Sequence, residues 1–229
     1  MISVILPVFN EERVLEKTVR NIREQFESLG VGSEIIITED GSTDRTPQIA
    51  EKLSEQGIKL VRNGKRMGKG AAIKNATRSV DGDIILVIDA DIRLKAQQIT
   101  EIMDRMDSGA DVVIASRYLK GSRTSRDFVR YVASKGFNFL VRLLLGSKIS
   151  DHQCGFKAFK KESTFGIFNQ LENKKWFWDT EFLVRAQRKG LMIVEVPIEW
   201  KESKDSKLNV FRDGFWMGIN LAKFKIKHW

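Results

Sequence analysis

Apolar residues along this chain fall into two rhythms. Short apolar, mostly β-branched runs at residues 2–8, 34–38, 58–61, 83–88 and 111–115 predict five buried strands. Between them the apolar positions recur at helical spacing. Val14, Leu15, Val19, Ile22 and Phe26 mark a helix over residues 11–29 that ends near Gly30 and Gly32. Residues 43–56 predict a second helix, with Thr43 or Asp44 as N-cap and Pro47 in its first turn. Residues 68–79, opened by glycines, and 97–107 predict two more. Strands alternating with helices, each strand apolar throughout, imply an α/β domain whose mainly parallel sheet is covered on both faces.

Beyond Arg117 the rhythm changes. Residues 121–127 read as a polar loop, 128–145 as a long amphipathic helix, 157–159 as a short strand and 178–189 as a helix. Residues 192–200 read as a late strand and 213–229 as a terminal amphipathic helix. There is no internal repeat and no Pro- or Ser-rich linker. One domain over residues 1–210, followed by an amphipathic helix at 211–229, is the expected organisation. The apolar stretch 128–145 is interrupted by Arg130, Lys135 and Arg142, so no spanning helix is expected, and residues 1–8 do not read as a signal peptide.

Charge alters this picture more than composition does. The 229 residues are 42% hydrophobic, enough for a packed core, and carry a formal charge of +9. Residues 1–116 hold 16 basic and 19 acidic side chains, whereas residues 117–229 hold 23 and 11. All five tryptophans lie in the basic half. An anionic partner is therefore expected there: nucleic acid, lipid headgroups or a phosphorylated small molecule. The single Cys154 excludes an intramolecular disulfide framework and a cysteine zinc site, and two histidines argue against a histidine-rich metal site.

Polar residues gather where the expected strands end, the edge at which open α/β sheets bind ligands. Asp89-Ala90-Asp91 follows the most strongly apolar strand, and two carboxylates at that spacing can share one hard divalent cation with a diphosphate. An isolated pair of this kind also reads as ordinary loop carboxylates. The run from Asn63 to Ala72 has the composition of a phosphate loop, but Gly70 follows Lys69, so it does not match the Walker pattern. A basic solvent-facing turn is its alternative. Trp178-Asp179-Thr180-Glu181 suits a sugar's apolar face and hydroxyls, or equally a hydrophobic anchor with a capping carboxylate.

These segments in this order resemble the glycosyltransferase family 2 enzymes of the GT-A (Rossmann-like) fold, and among them the polyprenyl (dolichyl) phosphate branch. The likeness rests on Val4 to Glu11, Glu39 to Asp44, Gly68-Lys69-Gly70, Asp89-Ala90-Asp91, Ser116-Arg117-Tyr118 with Gly121-Ser122, and Asp151 to Lys157. It runs from residue 2 to about residue 210. It implies that Pro7, Phe9 and Glu11 line a nucleoside pocket, that Asp40 contacts the base, and that Lys69 lies near the nucleotide. It implies that Asp89 and Asp91, flanking Ala90, hold Mg²⁺ or Mn²⁺ against the donor diphosphate. Arg117, Arg130 and Ser134 would hold the lipid phosphate, with Ser206 and Lys207 near the site. Asp151 joins the catalytic set as the residue that orders an Arg or water, or it is a cap or loop anchor. In one respect the chain departs from the mannose synthases of that branch: Arg93 stands where they often have a metal-binding Gln.

The expected reaction is inverting transfer of a hexose from a nucleotide sugar, UDP-glucose ahead of GDP-mannose, to polyprenyl or dolichyl phosphate. The expected location is the cytoplasm, peripheral at the cytoplasmic face of a membrane. Basic residues among Phe215, Trp216, Ile219, Leu221, Phe224 and Ile226 fit a helix lying in the headgroup plane or one packed on the core. A family 2 transferase with a saccharide hydroxyl acceptor would need a base such as Asp151 or Asp179. A nucleic-acid-binding module is disfavoured because the basic residues interleave with apolar helices and form no single stripe.

Overall fold

A computed structural model describes residues 1–125, 127–201 and 210–228. Its main sheet has seven strands in the order β3-β2-β1-β4-β7-β5-β8. These are β1 (Ile2–Val8), β2 (Ser33–Glu39), β3 (Lys59–Arg62), β4 (Ile84–Ile88), β5 (Val112–Ser116), β7 (Phe156–Lys160) and β8 (Ile193–Pro197). All neighbours pair in parallel except β7, which runs antiparallel between β4 and β5. The uniformly apolar strands follow from burial on both faces. Val4 and Leu6 of β1, with Ile35, Ile37, Leu86 and Ile88, face a layer made by α1 (Leu15–Ser28), α2 (Thr46–Ser54) and α4 (Ala96–Asp107). Ile5, Ile36, Ile85, Val87 and Phe159 face the opposite layer of α3 (Lys69–Ala76), α6 (Lys161–Gln170) and α7 (Trp178–Arg188).

Three elements differ from the expected pattern. Within the expected loop, Arg123–Ser125 forms β6, which pairs with β9 (Glu199–Lys201) in a separate two-stranded sheet. An exposed Arg-Thr-Ser strand carries no apolar alternation to announce it. The late strand divides into β8 and β9, and at the break the Ile198 amide donates to Ser122 Oγ at 3.2 Å. Helix α6 has a glycine and two hydroxyl residues and weak intrinsic propensity; the burial of Ile167 and Phe168 against Phe159 and Phe182 holds it. Helix α1 also starts later than residue 11, after a turn whose Glu11 carbonyl accepts from Val14 and Leu15.

Helix α5 (Phe128–Leu145) is capped by Asp127, which accepts from the Val129 and Arg130 amides, and ends at Gly146 in the left-handed region. Its buried stripe is Ser134, Asn138, Val141 and Leu145, while Phe128, Val129, Val132, Phe139, Leu140, Leu143 and Leu144 stay exposed. Helix α8 (Val210–His228) packs Leu221 and Phe224 with Val141, Leu145, Phe177 and Val184, so it shares a core with α5 and α7.

A buried histidine ties α5 to the segment that follows it. His152 Nδ1 lies 2.7 Å from Asn138 Oδ1, and its Nε2 lies 2.8 Å from Ser147 Oγ. Asn138 spends its amide on the Ser134 carbonyl, so its oxygen accepts, Nδ1 carries the proton, and Nε2 accepts from Ser147. Burial pushes this imidazole down to about 3. An unfolded histidine takes its proton near 6.5, so the folded state loses stability as pH falls below that value. The loss from this one group is about 2 kcal/mol at pH 5. Thermal denaturation followed from pH 7 to pH 5 should therefore show a shallower decline in Tm for His152→Gln than for the native chain, although the variant starts lower. Equal slopes would contradict this account.

Candidate active site

Strand order reverses between β1 and β4, since β1 leads leftward to β2 and β3 while β4 leads the other way. Chains leaving those two carboxyl ends lead toward opposite edges of the sheet, and the space between them is the general ligand site of open α/β sheets. Residues 9–11 leave β1, residues 40–44 leave β2 and residues 89–91 leave β4 at that edge.

The first two loops are laced together. Asn10, at φ +56°, donates its amide to Ser42 Oγ and accepts from the Thr43 amide at 2.7 Å, and the Glu11 amide donates to Thr46 Oγ1. Pro7, Phe9 and Glu11 are half-buried here. The Arg66 guanidinium lies 3.8 Å from the centre of the Phe9 ring, so the basic 64–68 loop closes over the aromatic. Asp40 is buried. Its oxygens accept from Asn63 Nδ2 and from the Met67 and Gly68 amides at 3.1, 2.8 and 2.8 Å. The carboxylate expected at a base is thus engaged in shaping the loop that leads into α3. Gly68 has φ +103° and sits against the Lys174 carbonyl, where a side chain would be both strained and blocked.

Asp89 and Asp91 stand where β4 ends. The Asp89 amide donates to the Gly155 carbonyl and the Ile92 amide returns to the Asp89 carbonyl, both at 2.9 Å. Thr18 Oγ1 donates to the Ala90 carbonyl at 2.7 Å, so Ala90 is buried and serves as the pinned centre of the turn. The Asp89 carboxylate lies directly over Gly155, where any Cβ would collide with it. Lys69 Nζ reaches Asp89 Oδ1 at 2.5 Å. Burial works against the Lys69 charge, but Asp89 outweighs it and holds the ammonium above its usual range. Partial desolvation in the cleft, and then the charge of Asp89, push the Asp91 carboxyl up to about 6. A carboxylate raised in this way marks a place short of positive charge.

Hard oxygen donors and a charge deficit fit Mg²⁺ or Mn²⁺. Among the described residues, however, no group of three His, Cys, Asp or Glu side chains converges on one point. The fit is therefore to an ion held by Asp91 and Asp89 together with oxygens of a bound diphosphate, rather than to a protein-only cage.

On the other side of the crevice, Arg117 follows β5. Its Nε and Nη2 donate to the two oxygens of Asp151 at 2.7 Å each, and its amide adds a third bond at 3.0 Å. Asp151 is fully buried. Burial works to raise its carboxyl, yet Arg117 holds it below the ordinary range. Burial likewise opposes the Arg117 charge, and Asp151 more than restores it. Arg117 Nη2 is 3.5 Å from Ser134 Oγ, to which Tyr118 also donates. The expected Arg117–Ser134 pairing is therefore present in space, and Arg130 lies one turn before Ser134 on α5. Of the alternatives open for Asp151, the geometry matches the one in which it orders an Arg: as a buried, ionised partner of Arg117 it positions that cation, with both oxygens engaged. Ser206 and Lys207 lie outside the described residues.

Two further residues carry this arrangement without having been singled out by sequence. Glu195, in the otherwise apolar β8, accepts from the Ser150 amide at 2.9 Å and the Asp151 amide at 3.2 Å and fixes the turn beneath Arg117. Lys157, buried in β7, lies 3.3 Å from Asp179. Burial raises the Asp179 carboxyl despite Lys157 and Lys69 nearby. The available signals were the lone charge of Glu195 inside an apolar strand and, for Lys157, its place at the end of the Asp151-to-Lys157 segment.

A mainly parallel α/β domain with a carboxylate pair at the strand-order reversal and a fixed guanidinium opposite has the build of an open α/β sheet that binds ligands at its switch point. Comparison makes this specific: residues 3–166 match the family described as glycosyl transferase family 2, and the chain belongs to that family. It is 38% identical to glycosyltransferase AglD of Haloferax volcanii over 97% of the chain and 36% of that protein. It is 32% identical to dolichyl-phosphate beta-glucosyltransferase ALG5C of Trichomonas vaginalis, covering 91% of the chain and 66% of the relative. It is 30% identical to the Dictyostelium discoideum dolichyl-phosphate beta-glucosyltransferase, covering 99% and 74%. The chain thus spans about a third of AglD's length and about two thirds to three quarters of these glucosyltransferases. Glucosyl-3-phosphoglycerate synthase from Mycobacterium tuberculosis, solved with Mn²⁺, UDP and phosphoglyceric acid, shares the fold at a TM-score of 0.72 and 21% identity, over 98% of this chain and 78% of that one.

The two-carboxylate site predicts a thermodynamic signature. Mn²⁺ alone should bind weakly, and UDP should tighten it by about tenfold or more, since a linkage of 1–3 kcal/mol is typical when one ligand completes another's site. Titration of Mn²⁺ with and without saturating UDP, by calorimetry, checks this. Equal affinity in the two titrations would contradict a shared site.

Proposed function

We propose that this chain transfers glucose from UDP-glucose to the phosphate of a polyprenol or dolichol, with inversion, at a membrane surface. The observation that carries the reading is the position of Arg117. Its guanidinium is fixed by Asp151 and touches Ser134 on α5, a helix whose other side exposes Phe128, Val132, Phe139 and Leu143. A rigid guanidinium at the inner side of a helix with an apolar outer side suits an acceptor with a phosphate head and a hydrocarbon tail. The glucosyltransferase names of the relatives support glucose over mannose.

The acceptor oxygen forms a bond to the anomeric carbon as the bond to the diphosphate breaks, and the electron pair leaves with the nucleoside diphosphate. An α-linked donor then gives a β-linked lipid phosphosugar. A phosphate monoester has its second pKa near about 6, so it arrives largely dianionic and needs no strong base. That agrees with Asp151 being engaged with Arg117, and with Asp179 being buried against Lys157. What the residues must do is align two anions. Arg117, with Arg130 and Ser134, would hold the acceptor phosphate, a bidentate task that suits guanidinium. Lys69 would face the donor. A divalent ion at Asp89 and Asp91 would stabilise the departing diphosphate.

Membrane contact is part of the proposal. Phe215, Trp216 and Ile226 of α8 are exposed, with Lys223, Lys225 and Lys227 on the same helix, and α8 packs on Val141 and Leu145 of α5. Aromatic and basic residues side by side suit the headgroup region. No helix among the described residues is long and apolar enough to cross a membrane.

Incubation with labelled UDP-glucose, Mn²⁺ and vesicles carrying polyprenyl phosphate should yield a labelled butanol-extractable lipid, with GDP-mannose giving much less. Asp91→Asn should lower turnover by at least about a hundredfold, the scale of removing one transition-state charge stabiliser. In the same assay the protein should sediment with anionic vesicles at low salt. No labelled lipid from any common nucleotide sugar would overturn the reading.

A further inference from the structure

Beside the carboxylate pair lies a cavity of about 740 Å³, of whose lining the roles proposed above involve only Asp91. It is lined by Asp91 at one end and by Arg93, Lys95, Arg123, Asn21 and Glu199. Its walls are fixed: the Lys95 amide donates to Gln98, the Ala96 amide to Gln25, and β6 is held in register with β9. Lys95 Nζ and Glu199 lie 2.5 Å apart across the cavity's margin and neutralise one another. Arg93 and Arg123 are different. Neither makes an ion pair within 4.0 Å among the described residues, although Arg123 stands in register opposite Glu199 and its charge acts on that carboxylate. The cavity's lining carries three cations, Arg93, Lys95 and Arg123, against two carboxylates, Asp91 and Glu199, so the cavity is cationic. Asn21 Oδ1, a buried acceptor with no partner among the described residues, borders the same space and offers a place to a hydroxyl.

We propose that Arg93 and Arg123 form a phosphate subsite that binds without a metal, next to the end of the site where Asp91 stands. Guanidinium is the side chain best matched to phosphate oxygens, and two of them on separate loops can grip one phosphate from two directions. The subsite rests on the proposed function only for the identity of its ligand, which is either the donor's diphosphate or the acceptor's phosphate monoester.

The test is calorimetric titration of inorganic pyrophosphate in EDTA, using the native chain, R93Q, R123Q and R93K. Loss of one charge-assisted contact should weaken pyrophosphate by about tenfold in R93Q and in R123Q, while R93K keeps most of the affinity. Changes within about twofold for both glutamine variants would overturn the subsite, because a charge-assisted bond is worth more than that. So would an equal loss in R93K, since the effect would not then be one of charge. The same titrations with UDP and with a short-chain polyprenyl phosphate assign the source: the ligand whose affinity falls in R93Q is the one held there. A loss for pyrophosphate alone keeps the subsite and separates it from the proposed reaction.

Discussion

The pair of Arg117 and Asp151 organises the second half of this molecule. Two buried opposite charges repay their desolvation only when geometry is close and remaining atoms are satisfied. Both conditions are met: two bonds of 2.7 Å run side by side, a backbone amide adds a third, and Glu195 secures the turn from below. The pair joins the end of β5 to the segment before β7. Through Ser134 and the His152–Asn138 contact it also sets the height of α5. Removing either partner would leave a buried charge, so the pair locks a position more than it adds stability.

That position has meaning because of the sheet. The reversal of strand order at β1 and β4 opens the crevice, and the antiparallel β7 brings the Asp151 segment back to it. A single backbone bond, from the Asp89 amide to the Gly155 carbonyl, joins the carboxylate turn to the chain four residues beyond Asp151. The Asp89–Asp91 turn and Arg117 are therefore tied to one another through the segment that leads into β7. The division of charge along the sequence has the same origin. The acidic half supplies the strand ends that would face a cation, and the basic half the groups that would face anions under the proposed function.

The alternating half of the fold was legible because β-branched runs and helical spacing are local signals. The antiparallel sense of β7, the pairing of β6 with β9 and helix α6 were not, since distant partners rather than local pattern decide them. Among site residues, Arg117, Ser134 and the carboxylate pair could be placed from motif order. The role of Asp151 could not, because only its burial against Arg117 distinguishes a positioning carboxylate from a base. Asp40 shows the same limit: an acidic residue at a strand end could face a ligand or its own loop, and the three donors around it come from residues 63–68. Arg93 and Arg123 were far apart in sequence, and the fold alone brings them to one cavity.

The most direct test of this account is the kinetics of Asp151→Asn, with short-chain polyprenyl phosphate and UDP-glucose varied separately. Asparagine keeps the shape but leaves Arg117 without its counter-charge and one of its two acceptors. The account predicts a KM for polyprenyl phosphate raised by roughly tenfold or more, the scale of one disturbed charge-assisted contact, with UDP affinity and the pH profile of kcat unchanged. A variant that instead loses a basic limb from its pH profile, or that loses UDP and acceptor binding equally, would contradict the claim that Asp151 serves to hold Arg117 for a phosphate.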